Sequence, residues 1–450
     1  MTDQTSEPLV AAILPRTMWQ AFIISRWGVW TVLLGKYVSI QVIVQLLGFA
    51  SSLLIIRLMS QKEYAYYTIA NTMQGTMNLL ADMGIGIGVS AIGGRVWRER
   101  FQLGQVITTA ISLRKRLALG SALSVIPILT YLLLHQGAPT AYVMLLATIV
   151  LGSLTAQLSA SVLIAVPRFH AEVSRLQRLD LIVAITKLIL VVALCRLFMN
   201  SATAMLIGSV TVAMPLLFLR PWARESADLN APLNPTFRKE MIGIIKNQAP
   251  NAIFYCLQSQ ISIWLISFFG KSQSVAEIGA LGRLAVVFTI VSSVMNNILV
   301  PRFARCQGKK TVLKRFWQIS LVALLLSCAI ICGACVFTAP CLWLLGPQYQ
   351  HLHLEFILCV INVVYTFFIG TLWSLNSARA WIQRSWLYIP LTLITQVALL
   401  KFVNLSNMRD VLLFGIISQT PLLLVNFYIF RRGFNAEFNK PFEEVKTVWQ

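Results

Sequence analysis

Charge is scarce in this sequence. Lys, Arg, Asp and Glu make up 12% of its 450 residues against 57% hydrophobic ones, and several apolar runs reach the roughly 18 residues that mark a membrane-crossing helix. A soluble core is thereby excluded. The runs are continuous and not alternating, which excludes an outer-membrane β-barrel. Residues 1–30 hold Asp3, Glu7 and Arg16 and no uninterrupted apolar stretch behind a basic one, so no cleaved signal peptide is expected. Histidine is nearly missing too: of the four, none stands at ligand spacing from a cysteine. Cys328, Cys332 and Cys335 share a helical face, but without such a partner they read as small packing residues and no metal is expected. The run Gly84, Gly86, Gly88 lacks the preceding strand that a dinucleotide fingerprint needs, and reads as a bend or a close helix contact.

What is there is a set of twelve expected spans between residues 37 and 430. The stretch 220–246, with Pro221, Pro232, Pro235, Asn230 and Asn234, reads as a linker that divides them six and six. The organisation expected is an interfacial segment at 1–36, an N-lobe at 37–219, the linker, a C-lobe at 247–430 and a tail at 431–450. That is an all-α polytopic membrane protein with two pseudo-symmetric lobes around a central cavity. Within the first segment Trp19, Phe22, Ile23, Arg26 and Trp30 share a face, as in a helix lying in the membrane interface.

Basic residues sort by loop. One side takes Arg57, Lys62, Arg196, Lys271, Lys401 and Arg409; the other takes all the rest, including the run from Arg95 to Arg116, except Lys187 and Arg283 inside spans. Both termini are then expected in the cytoplasm, in a multi-pass protein of the cell membrane. The net charge of +21 serves this topology and the attraction of anionic headgroups, with no nucleic-acid partner expected.

The stretch from Arg57 to Arg95 organises the rest. Asn71, Gln74, Asn78 and Asp82 fall on one helical face of an apolar span, and such a stripe must meet a cavity or a polar helix contact. The two halves echo each other. Gln41, Gln45, Gly48 and Ser52 step as Asn251, Tyr255, Gln258 and Ser262 do, and Glu63 and Glu277 each open a long span, the second carrying Thr289, Ser292 and Asn296. All these stripes are expected to face one shared lumen.

The run RLMSQKEYAYYTIANTMQGTMNLLADMGIGIGVSAIGGR resembles the opening signature of bacterial polysaccharide flippases, the Wzx-type O-antigen and exopolysaccharide exporters of the multidrug, oligosaccharidyl-lipid and polysaccharide exporter superfamily. Arg57-Leu58, Glu63-Tyr64, Asp82-Met83-Gly84 and Arg95 carry it, and APCLWLLGPQYQ from Ala339 to Gln350 is a second match. Ala65 departs from the glycine usual after the Glu-Tyr pair. The resemblance implies export of an oligosaccharide on a polyprenyl diphosphate across the bilayer, without covalent chemistry or a cofactor, beside a polymerase and a chain-length regulator.

A diphosphate cannot cross about 30 Å of hydrocarbon unaided, so its cavity should offer cations in a low-dielectric setting. Arg283 and Lys187, the two cations placed inside spans, lead the candidates. Arg57 and Lys36 stand at the mouths, and Gln41, Gln45, Asn78, Asn251, Tyr255 and Gln258 are candidates to bond sugar hydroxyls. Asp82, Gly84 and Arg95 read as gating or structural. Lys187 could instead snorkel or pair with Asp180, and Arg283 could pair with an acid of another span. A drug or cation antiporter of the same superfamily is the alternative; it needs deep carboxylates, and Asp82 is the one convincing case. A membrane polymerase would carry a large histidine- or arginine-bearing outer loop, and no outer loop here is long.

Overall fold

The computed structural model describes residues 26–170, 172–194, 199–284, 303, 306, 308–379, 381 and 385–439. Among the described residues the chain is helical throughout. The first half comprises α1 (Arg26–Leu58), α2 (Gln61–Asp82), α3 (Ile85–Val96), α4 (Arg100–His135), α5 (Thr140–Leu163), α6 (Ala165–Phe169), α7 (Val173–Leu194), α8 (Ser201–Ala213) and α9 (Pro215–Ser226). The second comprises α10 (Pro235–Phe269), α11 (Ser272–Leu284), α12 (Lys309–Val336), α13 (Thr338–Leu345), α14 (His353–Ala378), α15 (Tyr388–Leu399), α16 (Met408–Ile417) and α17 (Thr420–Asn439).

Seven described helices are long and apolar enough to cross a bilayer, nine when each of two bent pairs counts as one span. The other three expected spans fall on α7, which carries Arg178, Asp180 and Lys187; on α11, which meets the end of the described residues at Leu284; and on the short apolar helix Ser385–Leu399. Thr289, Ser292 and Asn296 lie outside the described residues, as do Trp19, Phe22 and Ile23. Arg26 and Trp30 belong to the same continuous helix as the first span. Large apolar side chains such as Leu123, Leu217, Leu325 and Val336 are exposed, the coat a lipid-facing bundle needs. Cys328, Cys332 and Cys335 are exposed on α12 among them, so the expectation that they pack inside is corrected: they sit on its outer surface.

Local signals set the helix ends. Ser60 Oγ accepts from Glu63 N, Asn200 and Thr203 form a reciprocal capping box, and Asn234 caps α10 by accepting from Thr236 N and Phe237 N. The glycine run gives the expected bend. Met83 (φ 34) and Gly84 (φ 95) break α2 from α3 by 44°, and Gly88 beyond the break packs on Met241.

The stretch at 220–246 is more helical than a linker: it belongs to α9 and α10 except for 227–234. That turn is fastened to α4, since Asp228 N donates to Arg100 O at 3.0 Å and Asn234 Nδ2 donates to Gln105 Oε1 at 3.0 Å. Gly104 is required there, because a Cβ would lie 2.1 Å from the Asp228 carbonyl oxygen.

α2 is the axis of the bundle. Tyr64, Ile69, Met73 and Met77 on it are fully buried; it packs on α4, α5 and α8 within its own half and on α10 and α11 of the other. Its start is tied down by Glu63, whose Oε2 accepts from Tyr142 Oη at 2.7 Å and from Ser201 N and Oγ at 2.8 Å each. In the second half α14 takes the central place against α12, α16 and α17, and an aromatic cluster of Phe303, Phe316, Trp381, Phe430 and Phe434 closes its linker end.

Candidate functional site

Hydrogen bonds join the halves at the linker end, through the Arg95–Glu240 pair, and in a larger group at the end of the bundle away from the linker. Arg57, in the last turn of α1, donates from Nε to Leu344 O at 2.8 Å and from Nη2 to Trp343 O at 2.6 Å, with Cζ 5.0 Å from the Trp343 ring. A guanidinium placed on terminal helix carbonyls satisfies groups that have no intrahelical partner. Gln136 Nε2 donates to Ser267 O at 3.0 Å and Gly270 O at 3.2 Å, and Ser272 Oγ donates to Gln136 Oε1 at 2.8 Å. Gly279 of α11 meets α2 so closely that a Cβ would fall 2.4 Å from Thr68 Oγ1. Beside it Glu277, 5% exposed, accepts from Gln273 Nε2 at 2.8 Å and faces His351 Nε2 at 3.2 Å.

Arg283 stands one and a half turns further along α11. Nη2 donates to Tyr67 Oη at 3.4 Å and Cζ lies 5.5 Å from the Tyr67 ring. The acid from another span, weighed as its partner, is not found: among the described residues no carboxylate lies within 4.0 Å of it. Lys187 is half-buried on α7, which packs along α1, and it forms no ion pair with Asp180. Among the described residues neither cation has a carboxylate within 4.0 Å.

The polar stripe of α2 takes the second course open to it. Gln74 Nε2 donates to Ser153 Oγ at 2.6 Å, while Asn78 Oδ1 and Asp82 Oδ1 accept from Arg114 at 3.1 and 3.0 Å. Gln258 in the other half exchanges bonds with Gln396 at 3.1 and 2.7 Å. Asn78 and Gln258, expected to face one shared polar lumen, are each hydrogen-bonded to a helix of their own half, the polar helix contact that such a stripe also allows. Gln41, Gln45 and Asn251 are half-buried and Tyr255 is 63% exposed; the side chain of Lys36 lies outside the described residues. Arg95 is paired with Glu240 on α10, and Asp82 and Gly84 flank the break of α2. The candidates thus fall into a contact zone at one end, a network at the break, and scattered positions between.

Arg114 corrects a second expectation. Counted among loop cations, it lies inside α4 with 4% of its side chain exposed, deeper than Arg283 or Lys187. The face that buries it runs Leu103, Val106, Ile107, Ala110, Ala118, Ser121 and Val125, a 3.6-residue period that includes position 114 and is readable in the sequence.

No family model matches this chain, and no curated protein matches it. Solved structures do. The inward-facing conformation of a multidrug-resistance MATE family transporter of the MOP superfamily aligns over 87% of this chain and 95% of its own, at 14% identity and a TM-score of 0.67. An outward-facing conformation of such a transporter aligns over 91% and 96%, at 14% identity and a TM-score of 0.57. A MOP superfamily transporter from Pyrococcus furiosus, described for the reversed polarity of its binding pocket, aligns over 90% and 96%, at 14% identity and 0.61. The fold is that of the MOP superfamily transporters, in an all-α, multi-pass membrane protein.

Proposed function

We propose that the chain is an alternating-access exporter whose cargo is anionic, namely a polyprenyl-diphosphate-linked oligosaccharide moved from the inner to the outer leaflet of the cytoplasmic membrane. The observation that carries this reading is the charge balance along the described helices. Asp82 is paired with Arg114, Glu355 with Arg409, and Glu277 faces His351, while Arg283 and Lys187 have no carboxylate within 4.0 Å among the described residues. An uncompensated cation inside a span costs several kcal/mol, and an anionic cargo offsets that cost when it binds.

The likeness to the inward-facing neighbour, at a TM-score of 0.67, exceeds that to the outward-facing one, at 0.57. A cavity open to the cytoplasmic leaflet is the state that loads a lipid-linked cargo made on that side. Rocking about α2 and α11 would then exchange the open end.

A drug or cation antiporter is the second reading, favoured by the multidrug-resistance names of the neighbours. The Pyrococcus furiosus relative marks pocket polarity as variable on this fold. The test is a strain lacking the gene, complemented with the native chain. Restored outer-leaflet appearance of lipid-linked glycan with unchanged drug susceptibility supports the flippase; restored drug efflux with no change in glycan export overturns it.

A further inference from the structure

The seat of α11 on α2 does more than pack two helices. On α2, Tyr64, Tyr67 and Thr68 stand at i, i+3 and i+4 and share one face. On α11, Gly279 and Arg283 are four residues apart and share the face that meets it. A Cβ on Gly279 would lie 2.4 Å from Thr68 Oγ1, and one turn further on Arg283 Nη2 donates to Tyr67 Oη at 3.4 Å, with Cζ 5.5 Å from the centre of the Tyr67 ring. That separation falls within the roughly 6 Å of a cation–π contact. The missing side chain at Gly279 is thus what brings the ring within reach of the guanidinium. Tyr67 is 7% exposed and is braced by the fully buried Tyr64, whose ring centroid lies 5.8 Å from its own.

We infer that Tyr67 is the positioning residue of Arg283: it holds one edge of the guanidinium before any ligand arrives and leaves the rest of the fork to bind. The inference rests on the reading of Arg283 as a cargo-binding cation and names the side chain that prepares it. A guanidinium carries five N–H donors, and the bond to Tyr67 is the one that Arg283 makes among the described residues. The nearby carboxylates do not compete for it. Glu277, six residues earlier and off the Gly279–Arg283 face, is engaged by Gln273 and His351, and Glu63 accepts from Tyr142 and Ser201. A long side chain fixed beforehand loses less freedom on binding than a free one. Tyr67 belongs to the first half and Arg283 to the second, so the cation is oriented only while α2 and α11 stay seated, and its readiness is tied to the contact about which the halves rock.

The test uses the full-length protein in nanodiscs and phenylglyoxal, which adds to free guanidinium groups, with Arg283 and Arg57 each followed on its own peptide by mass spectrometry. Tyr67→Phe keeps the packing and loses the hydroxyl; Tyr67→Leu loses the ring as well. Adduct formation at Arg283 should rise about threefold in the Phe variant and about tenfold in the Leu variant, with Arg57 unchanged. A tyrosine that served packing alone would leave the Phe variant at the native rate. Export of lipid-linked glycan, taken per molecule of protein in the membrane, should fall in the same order. Labelling of Arg283 at the native rate in both variants overturns the inference, and so does native export by Tyr67→Leu where Arg283→Ala is impaired. Native export by Arg283→Ala is a different failure: it removes the cargo reading and this role of Tyr67 with it, while the labelling still reports whether Tyr67 holds the guanidinium.

Discussion

Arg114 Nη1 donates to Asp82 Oδ1 across 3.0 Å between α4 and α2, and the two partners differ in exposure: the arginine is 4% exposed and the aspartate 36%. The pair is therefore asymmetric. Removing the aspartate strands a buried guanidinium, whereas removing the arginine leaves a carboxylate that water can still reach.

Asp82→Asn is accordingly expected to cost about 3 kcal/mol, the lower part of the range for breaking a buried pair. Arg114→Met should cost about 1–2 kcal/mol, since it fills the volume and leaves a partly hydrated acid. The double variant should lose less than the sum, because the pair is removed together. Thermal unfolding in detergent checks the order; a larger loss for Arg114→Met would mean that the carboxylate is the more desolvated partner.

The same pair marks what the sequence could and could not convey. Helix positions were readable from apolar run length, and the bend at Met83 and Gly84 from the glycines that follow. The partners of the polar stripe were not, because Gln74 and Ser153 are separated by 79 residues and Asn78 and Arg114 by 36, and periodicity fixes a face without naming what it meets. The depth of Arg114 escapes a hydropathy reading for a definable reason. A hydropathy reading starts a span after the last cation, while α4 begins at Arg100 and carries its charges inward. Gln136, which holds the contact zone together, gave no signal beyond its place after an apolar run.

Glu63 ties α2 to α5 and α8 through one carboxylate oxygen that accepts from Tyr142 and Ser201. Glu63→Ala should lower stability by about 3 kcal/mol, as charged hydrogen bonds of this kind contribute about 1.5–3 kcal/mol each and are not additive. Tyr142→Phe, which removes one donor only, should cost about 1 kcal/mol. A double-variant cycle with additive losses would show that the two side chains act separately.

The approach of α11 to α2 rests on the missing side chain of Gly279. Gly279→Ala sets a methyl 2.4 Å from Thr68 Oγ1 and 2.6 Å from Thr68 Cγ2, an overlap that packed helices relieve by moving apart at a cost of about 1–3 kcal/mol. The variant should weaken the contact zone, slow export several-fold and speed labelling of a Gln136→Cys reporter by an impermeant maleimide. Thr68→Ala removes both crowded atoms and should restore export in the double variant. Failure of that rescue would mean that Gly279 acts through backbone freedom and not through contact.

Arg283 is the residue on which the proposed anionic cargo can be tested. Its partners are tyrosines, so Arg283→Ala breaks no ion pair within 4.0 Å among the described residues, and membrane abundance should stay near native. Export should nevertheless fall at least tenfold if the guanidinium meets a diphosphate, because a charged hydrogen-bond pair is worth about 1.5–3 kcal/mol. Arg283→Lys keeps the charge and loses the planar fork, so partial activity is expected. Arg283→Glu should abolish export, placing like charge before an anion. A drug antiporter predicts the reverse order, with Glu tolerated or improved and Ala nearly silent, since a cavity for cations gains from losing this residue. Measuring outer-leaflet glycan and drug accumulation in the same four strains separates the two readings: normal glycan export by Arg283→Ala at normal abundance removes the residue from the site and leaves Lys187 as the cation on which an anionic cargo would depend.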